Sequence, residues 1–253
     1  MNRLESRVAL VTGSSRGIGA AIARRFAMEG ARVAVHGRDA AAIASVVDGI
    51  RRIGAEATGV AADITDARQL ELMREQIDTQ LGPVEILVAN AGASLVPPGP
   101  VEQIDPDAWR RSLDLNLTAT FLTIRCFLPG MKERGRGDII TISSHAGSRP
   151  HERSPVPYAV AKAGVQLLTQ DVALQAGPHG VRANCIAPET ILTERNASQI
   201  PPEVQARLAE AHALRRLGTS DDVAHAAVFL ASPEESGWIT GVVLPVHGGT
   251  TIG

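Results

Sequence analysis

The sequence contains few aromatic residues and only two cysteines. Aromatic side chains make up 3% of its 253 residues, so we expect the 44% hydrophobic content to form a core of Ala, Val, Leu and Ile. Such a core suits sheets that pack closely against helices, which favours an α/β fold. Cys126 and Cys185 both have apolar neighbours. We therefore expect buried, reduced thiols rather than a disulfide, a metal site or a nucleophile, and a reducing, cytoplasmic location.

A charge excess and long apolar runs are also missing. The 25 basic and 27 acidic residues give a formal net charge of −2, and they are scattered along the chain. These charges do not produce the positive electrostatic field that is typical of nucleic-acid-binding proteins. No apolar stretch reaches the ~18 residues needed to cross a bilayer, and Val8–Val11 is too short for the core of a signal peptide. We expect a soluble protein with no nucleic-acid partner and no membrane partner.

Short β-branched runs alternate with longer helical patterns along the whole chain. Strands joined by helical crossovers run parallel, so this alternation predicts a Rossmann-type, doubly wound, seven-stranded parallel sheet with helices on both faces. Because no change in composition marks a linker, we expect one domain over residues 1–253. The predicted strands are Val8–Thr12, Arg32–His36, Ala57–Ala62, Ile86–Asn90, Asp138–Ser143, Val181–Ala187 and Val242–Val246. The predicted helices are Gly17–Glu29, Ala40–Ile53, Ala67–Gln80, Asp107–Glu133, Tyr158–Ala176, Glu203–Ala213 and Ser220–Leu230.

A glycine-rich turn follows the first predicted strand and leads into a helix. Its glycines permit a tight turn and let the backbone approach a pyrophosphate, while the helix N-terminus offers N–H groups to the anion. The turn by itself is equally compatible with a simple strand-to-helix connection. If it binds a dinucleotide, the contacting residues are Gly13, Ser15, Arg16, Gly17, Ile18 and Gly19.

The end of the second predicted strand bears on the choice of dinucleotide. Gly37, Arg38 and Asp39 follow this strand, where the adenosine ribose of a dinucleotide should lie. An NAD enzyme usually has a carboxylate at the strand end, whereas Arg38 would attract a 2′-phosphate. Arg16 adds a second cation in the glycine turn. Each arginine alone is more often a solvated surface charge, but together they favour NADP(H).

Tyr158 and Lys162 are spaced for one face of a predicted helix. Tyr158 is the only tyrosine in the chain, and Lys162 follows it by four positions. The lysine charge would favour the phenolate and lower the pKa of Tyr158 from about 10, which suits a general acid. The alternative is an amphipathic pair with a solvated lysine, and the spacing alone favours that alternative.

Taken together, the motifs resemble the short-chain dehydrogenase/reductase family, in its single-domain branch and most of all its β-ketoacyl-acyl-carrier-protein reductases. The resemblance covers nearly the whole chain. It implies an enzyme that transfers hydride between NADP(H) and a carbonyl or alcohol, with a 3-oxoacyl thioester as one candidate substrate. A sugar, steroid or other secondary-alcohol dehydrogenase is the alternative, followed by a non-catalytic NADP(H)-binding sensor. The motifs are Thr12–Gly19, Asn90-Ala91-Gly92, Asn116, Ile142-Ser143-Ser144, Tyr158-Ala-Val-Ala-Lys162 and Asn184-Cys-Ile-Ala-Pro188.

The resemblance also assigns roles at the site. It implies that Ser144 and Tyr158 hold the substrate oxygen, that Tyr158 donates the proton, that Lys162 binds the nicotinamide ribose and that Asn116 holds a relay water. Ser144 is chosen over Ser143 from its spacing after the strand, where successive side chains point in opposite directions. The further cofactor-binding residues that it implies are Asp63, Ile64, Asn90, Ala91, Gly92, Pro188, Ile191 and Thr193.

Departures from the family pattern lie toward the C-terminus. Glu189 follows Pro188 where the family usually has glycine, which places a carboxylate at the substrate-side wall, where it would either pair with a cationic or hydroxylated substrate or point to solvent. His247 stands where aspartate is common.

Residues 189–217 resemble the family's substrate lid, and His145–Pro157 forms a second substrate-facing loop in which His151 is given no catalytic role. The family commonly forms tetramers, so we expect a homo-oligomer.

Overall fold

Seven parallel strands form the central sheet of the computed structural model, which describes residues 2–150 and 154–250. Their order is β3-β2-β1-β4-β5-β6-β9, and a separate two-stranded sheet pairs β7 with β8. The strands are β1 (Val8–Val11), β2 (Arg32–Gly37), β3 (Ala57–Ala61), β4 (Ile86–Ala89), β5 (Gly137–Ile142), β6 (Val181–Pro188), β7 (Ile191–Leu192), β8 (Gly218–Thr219) and β9 (Val243–Val246). The predicted doubly wound parallel sheet is confirmed.

Helices cover both faces of this sheet, because its strands are apolar on both sides. Ala9 and Val11 of β1 pack in one cluster and Val8 and Leu10 in the other, as expected for side chains that alternate between faces. The first cluster includes apolar residues of α1, α2 and α9, and the second those of α3, α5 and α6. The helices are α1 (Gly17–Met28), α2 (Ala40–Arg52), α3 (Ala67–Gln80), α4 (Pro106–Leu113), α5 (Ala119–Glu133), α6 (Val156–Ala176), α7 (Glu194–Ala197), α8 (Pro202–Glu210), α9 (Ser220–Ala231) and α10 (Pro233–Ser236).

The predicted continuous helix Asp107–Glu133 is wrong in its middle. A π-helical turn, Asp114–Thr118, separates α4 from α5 and contains the fully buried Asn116. Such turns insert an extra residue into a helix and are frequent at functional sites. The apolar periodicity on either side continues through the turn, so the sequence pattern did not reveal it.

The lid is built from short elements. The predicted helix Glu203–Ala213 corresponds to α8, which ends at Glu210. Helix α7 begins with a capping box in which Thr193 and Asn196 exchange hydrogen bonds between side chain and backbone. Elements of two to four residues depend on such local bonds rather than on periodicity, so they were not predicted. His151, Glu152 and Arg153 of the other predicted substrate-facing loop lie outside the described residues.

An ionic network ties the strands together at their amino ends. The Asp138 carboxylate, on β5, accepts from Arg7 and from Arg182 of β6, at 2.6 Å in each case. Arg7 also donates to the carbonyl of Ala231 at the end of α9. A cavity of about 620 Å³ opens beside these residues. The amino ends of these strands are therefore held together by ion pairs.

Three further findings concern the cysteines, membrane-spanning helices and metal sites. Cys185 is buried as expected, whereas Cys126 is only half-buried, and neither is in a disulfide. Within residues 2–150 and 154–250, no helix is long and apolar enough to cross a membrane. Over the same part of the chain, no cluster of three or more His, Cys, Asp or Glu side chains is arranged to hold a metal ion.

Candidate active site

A cleft of about 1320 Å³ lies at the carboxyl ends of the central strands. This is where an open parallel sheet binds ligands, at the point where the strand order reverses between β1 and β4. All the cofactor-binding residues predicted from the sequence line this cleft, as do Ser144, Tyr158 and Lys162. Asn116 lies buried beneath it. The fold therefore brings together residues that are far apart in the sequence.

The glycine turn is held against the end of β4. Asn90 donates from its side-chain amide to the carbonyls of Thr12 and Gly13, at 2.8 and 3.3 Å. A Cβ added at Gly19 would lie 2.6 Å from that same amide nitrogen, so no larger residue fits there. Arg16 occupies the position before α1 without a side-chain cap, which leaves the first N–H groups of the helix available to an anion.

Two arginines and two aspartates surround the other side of this turn. The Arg16 guanidinium lies 3.6 Å from the Asp39 carboxylate, and both side chains are exposed. Asp39 also accepts from two backbone N–H groups at the start of α2. Hydrogen bonds from Thr65 hold the pKa of Asp63 below its ordinary range, and the nearby Arg38 charge adds to this effect. Asp39 therefore offsets part of the positive charge that the sequence indicated at the ribose.

The residues predicted to be catalytic meet at the far end of the cleft. Tyr158 is hydrogen-bonded to Ser144, and the Lys162 ammonium nitrogen lies 5.6 Å from the centre of the Tyr158 ring. Lys162 donates to the carbonyl of Ile142 at the end of β5, at 2.7 Å, and only 4% of its surface is exposed. The alternative of a solvated lysine on an amphipathic helix is thus wrong.

The pKa of Tyr158 departs from its ordinary value in the direction opposite to the prediction. Burial raises the pKa of Tyr158, and the hydrogen bond from Ser144 lowers it by less. Burial also lowers the pKa of Lys162 to about 8. Removal from water disfavours the charged form of both groups, and a sequence does not show how deeply they are buried. Tyr158 consequently keeps its proton at neutral pH, as a proton donor requires.

The two adjacent serines point in different directions. Ser143 donates to the carbonyl of Lys162 at 2.7 Å and accepts from the Gln166 amide at 3.1 Å, so it is turned into α6. Both serines border the cleft, but the Ser144 hydroxyl accepts from the backbone N–H of Ala146 and is hydrogen-bonded to Tyr158. This geometry supports Ser144 as the serine that contacts substrate.

The side-chain amide of Asn116 forms hydrogen bonds with backbone groups of the protein. The amide donates to the carbonyls of Ala93 and Ser112, each at 2.9 Å, and accepts from the Ala93 N–H at 3.0 Å. A Cβ added at Gly92 would lie 2.6 Å from the Asn116 oxygen and 3.4 Å from the Lys162 nitrogen. Asn116 thus fixes the segment after β4 next to Lys162, and its relay water stays a prediction.

The Glu189 carboxylate is held by two residues of the protein. One oxygen lies 2.7 Å from Nε2 of His212 and accepts from the Thr190 N–H, and the other accepts from the Thr190 hydroxyl at 3.0 Å. His212, just after α8, is 3% exposed, and its Nδ1 lies 2.7 Å from the carbonyl of Leu208. The alternative of a carboxylate that points to solvent is therefore wrong, whereas pairing with a substrate stays a prediction, since Glu189 also lines the cleft. No local pattern links positions 189 and 212.

Loss of this pair should destabilise the protein. Glu189→Ala leaves the buried His212 ring without its acceptor, so we expect the free energy of unfolding to fall by about 1–3 kcal/mol, measured by urea titration at pH 7. Burial raises the pKa of Glu189, but hydrogen bonds from Thr190 and His212 outweigh it and keep the pKa below 4.5. Since the folded pKa is depressed, the stabilisation is present at neutral pH and disappears as pH falls below about 4.5.

Glu194→Ala is the matched control, because Glu194 is an exposed carboxylate on the same segment. It should change the free energy of unfolding by less than about 0.5 kcal/mol. Equal losses in the two variants would contradict a specific contribution from the Glu189–His212 pair.

Asn196 and His36 also belong to the site, although neither was singled out in the sequence. Asn196 donates to the carbonyl of Ile191 at 2.9 Å and accepts from the Thr193 N–H at 2.7 Å, so it fixes this wall of the cleft. The Thr193 methyl carbon lies 3.6 Å from where a Cβ of Gly17 would be, which brings the start of the lid against the glycine turn. The Thr-x-x-Asn spacing of residues 193–196, typical of a capping box, was the available signal for Asn196.

Comparison with known proteins gives consistent matches over the whole chain. Residues 13–251 match the family model described as Enoyl-(Acyl carrier protein) reductase. The 7α-hydroxysteroid dehydrogenase of Escherichia coli is 37% identical over 247 residues, which cover 98% of this chain and 95% of that protein. A crystal structure of 3-oxoacyl-[acyl-carrier protein] reductase from Brucella melitensis is 34% identical, with a TM-score of 0.92 over 99% of this chain and 93% of that one. A 7α-hydroxysteroid dehydrogenase complexed with NADH and 7-oxo glycochenodeoxycholic acid is 36% identical, with a TM-score of 0.91, over 98% and 95%.

Proposed function

The chain belongs to the short-chain dehydrogenase/reductase family of oxidoreductases, and on that premise we propose that it interconverts a carbonyl and a secondary alcohol with NADP(H). One observation carries the proposal. Ser144, Tyr158 and Lys162 meet at one end of a cleft whose other end holds the glycine turn and two arginines. A dinucleotide with its pyrophosphate at α1 would extend toward Tyr158. Residues 1–253 would then act as one catalytic domain with a lid at 189–217.

The residues at the cleft fit such a cofactor. Gly19 packs directly against Gly13 and Asn90, which keeps the turn tight, and the N-terminus of α1 supplies donors for the pyrophosphate. Arg16 and Arg38 would bind the 2′-phosphate, and Ile191 and Thr193 would face the carboxamide. When bound, the cofactor would supply or accept the hydride.

The protein's own groups would handle the proton. Tyr158, whose pKa burial raises above the ordinary value, is protonated at neutral pH and would donate its proton to the substrate oxygen that it holds together with Ser144. The Ser144 hydrogen bond and the adjacent Lys162 ammonium would then stabilise the phenolate that remains. Oxidation of an alcohol reverses these steps, with the phenolate as the base.

The substrate class has two candidates. Similarity to the Brucella melitensis reductase supports a 3-oxoacyl thioester, and similarity to the 7α-hydroxysteroid dehydrogenases supports a cyclic secondary alcohol about equally. Initial rates of NADPH and NADH oxidation should be measured over a panel containing a β-ketoacyl thioester, sugars and cyclic ketones. Turnover of any of them that is lost in Tyr158→Phe supports the proposed function. Cofactor binding without turnover across the panel would favour a non-catalytic sensor.

We also propose a cytoplasmic homo-oligomer, with the tetramer common in this family. Large apolar side chains are exposed on α5 and α6: Phe121, Leu167 and Leu174 are 46%, 61% and 78% accessible, respectively. Exposed apolar side chains on neighbouring helices are typical of surfaces that become buried between subunits. Light scattering on the purified protein measures the mass directly.

Arg38→Asp should reverse the preference for NADP(H). Exchanging an arginine for a carboxylate removes a charge-assisted phosphate contact and adds repulsion, so we expect NADPH binding to weaken by about 1.5–3 kcal/mol. NADH binding should be unchanged or stronger, because a carboxylate at this position accepts from ribose hydroxyls. Fluorescence titration with each cofactor gives both affinities.

Arg24→Asp is the matched control. Arg24 is exposed on α1 but does not line the cleft, so this variant changes the net charge equally. Its ratio of NADPH to NADH affinity should match that of the wild type. An unchanged ratio in Arg38→Asp as well would refute the assignment of Arg38 to the 2′-phosphate.

A further inference from the structure

His36 links the two walls of the cleft at its adenosine end. The ring lies at the end of β2 and is 3% exposed. Its Nδ1 accepts from the backbone N–H of Gly13 at 3.0 Å, and its Nε2 lies 3.1 Å from the carbonyl of Ala62. Gly13 begins the glycine turn, and Ala62 precedes Asp63 and Ile64, which line the opposite wall.

These two contacts require one protonation state. A backbone N–H can only donate and a carbonyl can only accept, so Nδ1 must carry no proton and Nε2 must carry one. A second proton would place two N–H groups against each other at 3.0 Å. The ring therefore bridges the two walls only when it is neutral.

The backbone around His36 is tied to the same turn. The N–H of His36 donates to the Ser14 hydroxyl at 2.9 Å, and the Ser14 N–H donates to the carbonyl of His36 at 2.8 Å. Gly13 has a φ of +65°, which glycine adopts without steric cost, so the turn needs support from its surroundings to keep this one conformation. The Nδ1 contact supplies that support at the residue where the turn leaves β1.

We propose that His36 is a positioning residue for the cofactor: its neutral ring holds Gly13 and Ala62 at the spacing that the adenosine half requires, and protonation releases the turn. The inference rests on the proposed function, because it concerns the binding of a dinucleotide. It adds a residue whose side chain acts through Gly13 and Ala62.

The charges around His36 set the direction of this effect. Burial lowers the pKa of His36 below 6.5, while the Ala62 carbonyl and the Asp63 charge oppose this lowering. Arg16, Arg38 and Asp39 line the same end of the cleft, and they are exposed or half-exposed. Since the folded pKa is depressed, the bridge is complete above pH 6.5 and is lost as pH falls through the lowered value.

The test compares the wild type with His36→Asn and His36→Phe between pH 8 and about pH 5. Asparagine can accept from the Gly13 N–H but does not titrate, whereas phenylalanine makes neither bond. Binding is measured by calorimetry with NADPH and with ADP-ribose, which lacks the 2′-phosphate and so does not titrate in this range. His179→Gln, at an exposed histidine far from the cleft, is the control.

We expect wild-type affinity for both nucleotides to fall by about tenfold on the acid side. With ADP-ribose, His36→Asn should show a flat profile, and His36→Phe should bind either nucleotide about tenfold more weakly at pH 8. His179→Gln should follow the wild type. Identical profiles for the wild type and His36→Asn, or wild-type affinity in His36→Phe at pH 8, would overturn the inference and leave the proposed function intact.

Failure of the wild type to bind either nucleotide at pH 8 would overturn both the inference and the proposed function. If a variant does not fold, a long-range ¹H–¹⁵N spectrum of the histidine rings in the wild type decides the question. The inference requires His36 to carry its proton on Nε2 at pH 8, and a proton on Nδ1 would overturn it.

Discussion

Replacing Tyr158 with phenylalanine is expected to lower kcat/KM by about 10²–10⁴-fold. The substitution removes only the hydroxyl group that is hydrogen-bonded to Ser144 and keeps the ring that packs beside Lys162. Without this group, the substrate oxygen has no proton donor when the hydride arrives. Because Tyr158 is the only tyrosine in the chain, no neighbouring phenol can take its place. Initial rates on whichever substrate of the carbonyl panel turns over measure the effect.

Two controls separate chemistry from binding and folding. The Tyr158→Phe variant should bind NADPH within a few-fold of the wild-type affinity and unfold at a similar temperature. Ser143→Ala removes a hydroxyl that is turned into α6, so it should retain turnover although it loses a buried hydrogen bond. A Tyr158→Phe enzyme with at least a tenth of wild-type activity would contradict the assignment of the proton donor.

The second large effect is expected for Lys162→Met, which should lower kcat/KM by about 10²-fold and abolish an alkaline limb in its pH profile. Burial lowers the pKa of Lys162 to about 8, so the ammonium is charged below that value. The support that this charge gives to the phenolate is present below about pH 8 and is lost as pH rises through it. Wild-type carbonyl reduction should therefore decline above about pH 8, while the variant should be uniformly slow.

Lys132→Met provides a close comparison, because Lys132 is the only other lysine and lies on α5, outside the cleft. It should reproduce the wild-type rate and pH profile. If Lys162→Met kept the alkaline limb, the titrating group would have to be another residue. Rates measured across the whole pH range with NADPH as the cofactor give both the loss of activity and the shape of the pH profile.

The sheet followed from the sequence because burial on both faces leaves strands that are apolar throughout. Val8–Val11 and Ile86–Ala89 are fully buried runs of this kind, and the helices between the strands make the crossovers parallel. The turn at Asn116 was missed because the side-chain amide of one residue, rather than periodicity, determines it. The short elements α7, β7 and β8, in and next to the lid, were not predicted because they too depend on local bonds.

The sequence predicted which residues surround the cleft, but it did not predict how their pKa values are shifted or which residues pair with one another. The motif residues lie where the parallel strands end, which follows from topology. The direction of the Tyr158 pKa depended on burial, and the partner of Glu189 depended on how the lid folds back to bring His212 to it. The His36 bridge likewise joins residues 23 and 26 positions away. Contacts between distant segments leave no local signal.

The Arg7–Asp138–Arg182 network and the cleft lie at opposite ends of the same strands. The amino ends of the strands thus contribute to the stability of the sheet, and the carboxyl ends carry the catalytic residues. The full length of the strands lies between them. Stabilising and activity-altering mutations can accordingly be combined with little interference, because distant sites contribute nearly additively. An engineer who wants a heat-resistant form of this enzyme should begin at the amino ends of the strands, where changes leave the hydride-transfer geometry untouched.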